Sequence, residues 1–339
     1  DSLDTNLSMK RIFQRLAAGI VALLLIPVCA VILLYLPLTQ QWGSKWGILK
    51  LKEQSGLEIH VREVRVRWPL RIEITGIQVD TLLSAERLST SIRPYPLLQG
   101  KIEATHLTLQ KTSLHTDTLT TPQRIDGDIQ CLHLKEIEYT WKKKHLKIER
   151  ITLNGCTILL EQPYETAQKK NERTSLPLTV HIGNIDLNES AFRYSRGESN
   201  WTLTEITAHI DSIRHSPIST SATVTAITFF EEKGIRLREG IFTILHTEEV
   251  TALPYFLFRT DDSYASGNIK LARGLPHDGN LEASVAVTVG NTDLKYLART
   301  SGTPFLTVAE QLPKVPLTIA LDIEGTLDTL HINECNVSL

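Results

Sequence analysis

The sequence predicts a mainly β protein in which an N-terminal transmembrane helix precedes an elongated antiparallel sheet. Three observations predict it. Residues 16–44 carry no charge. From Leu57 onward apolar residues recur with a period of two. Turn-forming residues interrupt those runs, and almost no helix-period segment lies between them.

The helix comes first. Residues 16–38 are apolar almost throughout, with Leu23, Leu24, Leu25, Ile32, Leu33 and Leu34 at their centre. About 20 helical residues cross the hydrocarbon core of a bilayer, so the stretch suffices. Pro27 is tolerable there, because neighbouring groups can re-satisfy the backbone. Lys10, Arg11 and Arg15 stand just before the span and hold residues 1–15 in the cytoplasm by the positive-inside rule. The competing reading is a cleaved signal peptide, but the apolar run is long and no small-x-small site closes it. Lipidation at Cys29 is disfavoured by the bulk of Val28 and by its place in mid-run. Met9, the only methionine, is the expected start, which sets Asp1 to Ser8 aside.

Tyr35, Trp42 and Trp46 follow, residues whose amphipathic rings suit the headgroup level. Trp42, Trp46 and Leu49 share one helical face, so residues 39–56 predict a short amphipathic juxtamembrane helix. It either lies on the membrane surface or packs on the first strands.

Residues 57–339 then read as one elongated β domain. Leu57, Ile59 and Val61 alternate, and Val64, Val66, Trp68, Leu70, Ile72 and Ile74 continue in shifted parity. Leu281, Ala283, Val285, Val287 and Val289 form another run, and so do Val315, Leu317, Ile319, Leu321 and Ile323. Strict alternation makes one face apolar and the other polar. Turns are expected at Gly76, Gly100, Gly127, Asn154-Gly155, Gly183-Asn184, Arg196-Gly197, Gly234, Gly267-Asn268 and Gly325. Leu294, Leu297 and Ala298 suggest one short helix, and the polar stretch 165–175 suggests an insertion. A loose repeat also recurs, Ile148-x-x-Ile151-x-Leu153, Ile182-x-x-Ile185-x-Leu187 and Ile102-x-x-x-x-Leu107-x-Leu109, whose two-residue step flips parity as a bulge or corner does.

Charge and motifs exclude several functions. With 36 basic against 38 acidic residues, no excess calls for nucleic acid. The histidines lack metal spacing, so no metal or other cofactor is expected. Cys131, Cys156 and Cys335 lack Cys-x-x-Cys spacing, although Cys131 and Cys156 are a candidate disulfide. Asp126-Gly127-Asp128 reads as a tight turn, and Lys142-Lys143-Lys144 as a hairpin tip, with contact to anionic headgroups or a partner as its alternative. Glu231-Glu232 and Glu248-Glu249 read as solvated charge near turns. No catalytic constellation emerges, and the chain is expected not to be an enzyme.

Taken in order, these features resemble the TamB and AsmA-like family of Gram-negative envelope proteins. The segments GLEIHVREVRVRWPLRIEITGIQV, DTLLSAERLSTSI and PLLQGKIEATHLTLQ are similar to the start of a Bacteroidetes-type TamB. IGNIDLNESAFRY and LTIALDIEGTLDTLHI resemble later strands of the family, whose full-length members are several times longer, so the chain is expected to be an N-terminal fragment or a truncated product. The resemblance implies a β-taco, a curled sheet with an apolar trough. It implies a periplasmic body anchored in the bacterial inner membrane that carries phospholipid between inner and outer membranes. Ile182, Ile185, Leu187, Val285, Val287, Leu317, Ile319 and Leu321 are the candidate groove residues. The alternative is a scaffold for outer-membrane protein assembly, since TamB is linked to a BamA-like barrel partner.

Overall fold

The computed structural model describes residues 58–68, 70–115, 124–161, 178–196, 199–272, 280–301, 315–326 and 329–338. The predicted span at 16–38, the juxtamembrane helix at 39–56 and the insertion at 165–175 lie outside them. Among the described residues no helix is long and apolar enough to cross a membrane.

Fifteen strands form a single sheet in sequence order. They are β1 (Ile59–Arg67), β2 (Arg71–Val79), β3 (Leu83–Arg93), β4 (Lys101–His115), β5 (Arg124–Thr140), β6 (His145–Glu161), β7 (Thr179–Arg196) and β8 (Ser199–Ser216). The second half comprises β9 (Ser219–Glu231), β10 (Arg236–Thr247), β11 (Val250–Arg259), β12 (Tyr264–Ala272), β13 (Asn280–Val289), β14 (Leu317–Thr326) and β15 (Leu330–Ser338). Two helices accompany them among the described residues, α1 (Pro94–Leu97) and α2 (Asn291–Ser301). The sheet is curled and open: β1 and β15 each pair on one side only. At roughly 4.8 Å between strands, its contour measures on the order of 70 Å.

All neighbours pair antiparallel except β6 and β7, which run parallel. The wholly antiparallel expectation fails at this joint. Two of the three copies of the loose repeat stack directly there: Ile148 opposes Ile182, Ile151 opposes Ile185, and Leu153 opposes Leu187, while the third, from Ile102 to Leu109, lies on β4.

Most of the glycines expected to turn the chain lie inside strands. Gly76, Gly127, Gly155, Gly183, Gly267 and Gly325 are strand residues. Strands are therefore longer than the glycine spacing suggested, up to 18 residues in β7 and β8. Several mark corners instead. One corner line crosses the sheet where the ladder skips a rung, through Gly76, Lys111, Gly155, Glu189 and Glu205, all at positive φ between 47° and 64°. A second line passes Thr105, Glu136, Glu149 and Gly183. At each line side-chain parity flips, so a strand such as β4 keeps Ile102, Ala104, Leu107, Leu109 and Leu114 on one face despite their uneven spacing. Asp126-Gly127-Asp128 is likewise extended strand, not a tight turn.

The converse error occurs at the start. Apolar alternation runs unbroken from Val64 to Ile74, yet the chain reverses at Trp68–Leu70 to make the β1–β2 hairpin. Reversal preserves the pattern because Val66 pairs with Ile72 and Val64 with Ile74.

Candidate functional site

Following partners from strand to strand assigns every side chain a face, because directly opposed residues in a ladder point the same way. One rung row crosses the whole sheet: Val66, Ile72, Thr90, Leu107, Leu134, Ile151, Ile185, Ile210, Val224, Phe242, Phe256, Gly267, Val285, Leu321 and Cys335. A second row runs beside it: Val64, Ile74, Leu88, Leu109, Leu132, Leu153, Leu187, Ala208, Ile227, Gly240, Phe258, Ala265, Val287, Ile319 and Val337. Thr90 is the single polar side chain in the first row besides Cys335, and its hydroxyl donates to the His106 carbonyl at 2.9 Å.

Between those rows, on the opposite face, lie Arg65, Glu73, Ser89, Thr108, His133, Thr152, Asp186 and His209. Polar side chains there bond across strands. Thr108 Oγ1 lies 2.8 Å from His133 Nδ1, and His209 Nδ1 lies 2.6 Å from Asp186 Oδ1. Arg93 spans two strands to Glu103 and Glu136 at 3.3 and 3.0 Å. Burial, with Lys135 and His106 nearby, lowers the His133 pKa and favours its neutral ring.

All eight candidate groove residues fall on the apolar face. Ile185, Val285 and Leu321 occupy the first row, and Leu187, Val287 and Ile319 the second. Ile182 sits beyond the second corner line, joined through Ile213 to Ala222 on β9, two residues from Val224. Leu317 opposes Val289 at the end of β14. Each of the eight is half-buried. No described residue has a large side chain less than 2 % exposed. A sheet covered by a second layer would bury such side chains completely.

The apolar face is fullest at β10 and β11. Phe256 and Phe258 stack with ring centres 5.6 Å apart, and Phe242 tilts against Phe258 at 5.9 Å. Gly240 opposes Phe258 and Gly267 opposes Phe256, so each ring stands beside a rung without a side chain.

Polar atoms interrupt this face at defined points. Ser190 is 3 % exposed and sits at the first corner, where Cys156 N–H has lost its rung. Its Oγ accepts from that N–H at 3.3 Å and donates to the Asn188 carbonyl at 3.0 Å. Glu231 is 2 % exposed, contrary to its reading as solvated charge, whereas Glu232, Glu248 and Glu249 are exposed as expected. It opposes Leu203 on the apolar face. Its Oε2 accepts from Tyr296 Oη of α2 at 2.9 Å and from Lys233 N at 2.8 Å, while Oε1 has no bonding partner among the described residues. Burial and the carboxylate push the Tyr296 phenol up to about 12. Asp293, also on α2, accepts from Thr260 Oγ1, and Gly290 N donates to Ser263 Oγ at 3.0 Å. The helix thus bridges from β13 back to the end of β9.

Cys131 and Cys156 are both free and do not form the candidate disulfide. Cys131 opposes Asn154 on the polar face while Cys156 opposes Ile129 on the apolar face, so their sulfurs point apart. No group of metal-ligating side chains occurs among the described residues. Trp42, Trp46, Tyr35 and the cationic residues Lys10, Arg11 and Arg15 lie outside the described residues. Against known protein families and curated proteins the chain finds no match.

Proposed function

We propose that the protein carries phospholipid along the apolar face of its sheet, between an inner membrane holding its N-terminus and an outer membrane. The supporting observation is the pair of apolar rows through all fifteen strands, half-exposed and backed by a polar face. Acyl chains on such rows leave water at about 0.8 kcal/mol per buried methylene. A continuous row offers the same apolar contact at every rung, so a chain moves along it without a desolvation barrier. The sequence resemblance to TamB and AsmA-like proteins points the same way, with a single-pass anchor, a periplasmic body and a β-taco trough. Neither an enzymatic step nor a cofactor enters this reading.

Photo-crosslinking separates the faces. A photoreactive residue at Val287 or Ile319 is expected to capture phospholipid, and one at neighbouring Ala286 or Ala320 on the polar face is not. Asp at Leu317, Ile319 and Leu321 together should abolish co-purifying lipid in native mass spectrometry of the full chain. Adducts to nascent barrel proteins, with no lipid at any apolar-face position, would instead establish the assembly scaffold with a BamA-like partner.

A further inference from the structure

Three successive hairpin connections, β1–β2, β3–β4 and β5–β6, lie at the same end of the sheet. They present Trp68, Tyr95, Leu98 and Trp141, which are 73, 70, 86 and 51 % exposed. Large apolar groups repeated at consecutive tips are not the scattered surface residues that need no explanation. Each tip is also cationic: Arg67 and Arg71 flank the first, Arg93 and Lys101 the second, and Lys142, Lys143 and Lys144 follow Trp141 in the third.

Arg93 and Lys101 are held by Glu136 and Glu138 at 3.0 and 3.1 Å. Among the described residues, no carboxylate pairs with Arg71, Lys142, Lys143 or Lys144. The turns themselves, Trp68–Leu70, 94–100 and 141–144, contain no acidic residue. Alternate tips stand about 10 Å apart, two strand spacings, so the patch extends on the order of 20 Å.

The other described turns lack such a cation cluster, and the β8–β9 turn at the same end exposes Ile218 without charge. The β10–β11 turn at the same end carries Glu248 and Glu249, and turns at the far end carry Asp80, Glu232, Asp261 and Asp262. Amphipathic rings with unpaired cations match the interfacial zone of a bilayer that carries anionic headgroups, and acidic tips are repelled from it. We infer that the β1–β2, β3–β4 and β5–β6 tips dock on an anionic membrane surface and orient the sheet by its first hairpins. This goes beyond lipid carriage, since it holds whatever the apolar face binds.

The test is hydrogen exchange on the full chain in nanodiscs of phosphatidylcholine alone or with phosphatidylglycerol. Amides of Trp68, Leu70 and 141–144 are expected to exchange about tenfold more slowly in the anionic discs, while Asp261–Ser263 does not change. Lys142→Gln, Lys143→Gln and Lys144→Gln should each lower the docking equilibrium constant roughly fivefold. Serine at Trp68 and Trp141 should reduce it as well, with strand amides serving as the folding control. Equal exchange in the two discs would overturn the inference. So would slowing that persists in lipid-free detergent, which would assign the tips to a protein contact.

Discussion

Single residues decide where this sheet bends. Glu189 takes φ 48° at a corner, a conformation that costs a non-glycine residue on the order of 1–2 kcal/mol. Glu189→Gly should therefore raise unfolding stability by about 1 kcal/mol in denaturant titration. Gly183 faces the reverse constraint. A Cβ there would stand 2.5 Å from the Glu149 carbonyl oxygen, a backbone atom that cannot rotate away. Gly183→Ala should destabilise by about 2 kcal/mol or more in the same titration. The sign difference between these two substitutions at neighbouring corners separates backbone strain from crowding. Unchanged stability in both would show that the corners are not conformationally demanding.

Among the elements, α2 is attached by polar bonds to strands that do not neighbour it in the sheet. Tyr296 ionises normally near pH 10 when unfolded but is held to about 12 in the folded chain. Its contribution is complete below pH 10 and is lost as pH rises through 12, since ionisation removes the proton given to Glu231. Protection of the α2 amides, taken relative to the base-catalysed intrinsic rate, should fall across that window, and Tyr296→Phe should already show the lower protection at pH 8–9. Little of this was legible beforehand. Leu294 and Leu297 signalled a helix, but Glu231 looked solvated because it precedes Glu232 and a turn, and nothing in the chain links residue 231 to 296. Faces were partly legible: alternation relates Val285 to Val287 and Ile319 to Leu321, but Ile182 and Ile185 share a face only because the ladder skips a rung between them. Element boundaries fared worse. The β1–β2 reversal keeps the apolar alternation intact, and corner glycines carry the same local signal as turn glycines.

At the scale of the whole molecule, two hairpin arrays, β1–β6 and β7–β15, meet in a single parallel joint. Within each array most contacts join consecutive strands across short turns. The joint instead pairs Ile148 with Ile182 and Leu153 with Leu187, and must bring one end of the sheet back to the other. Native-state exchange against denaturant should therefore resolve two cooperative blocks whose boundary falls between β6 and β7. One shared opening free energy for all fifteen strands would refute that division.

The parallel joint also sets a clock for folding. Closing a hairpin takes on the order of microseconds, whereas pairing that must first enclose a long crossover is slower. As the chain is synthesised, the first array is complete before β7 exists. Until the crossover returns, the outer edge of β6 is an open ladder with Ile148, Ile151 and Leu153 beside it. During that interval the edge is a template for any extended strand nearby, an exposure that ends only when β7 pairs with it.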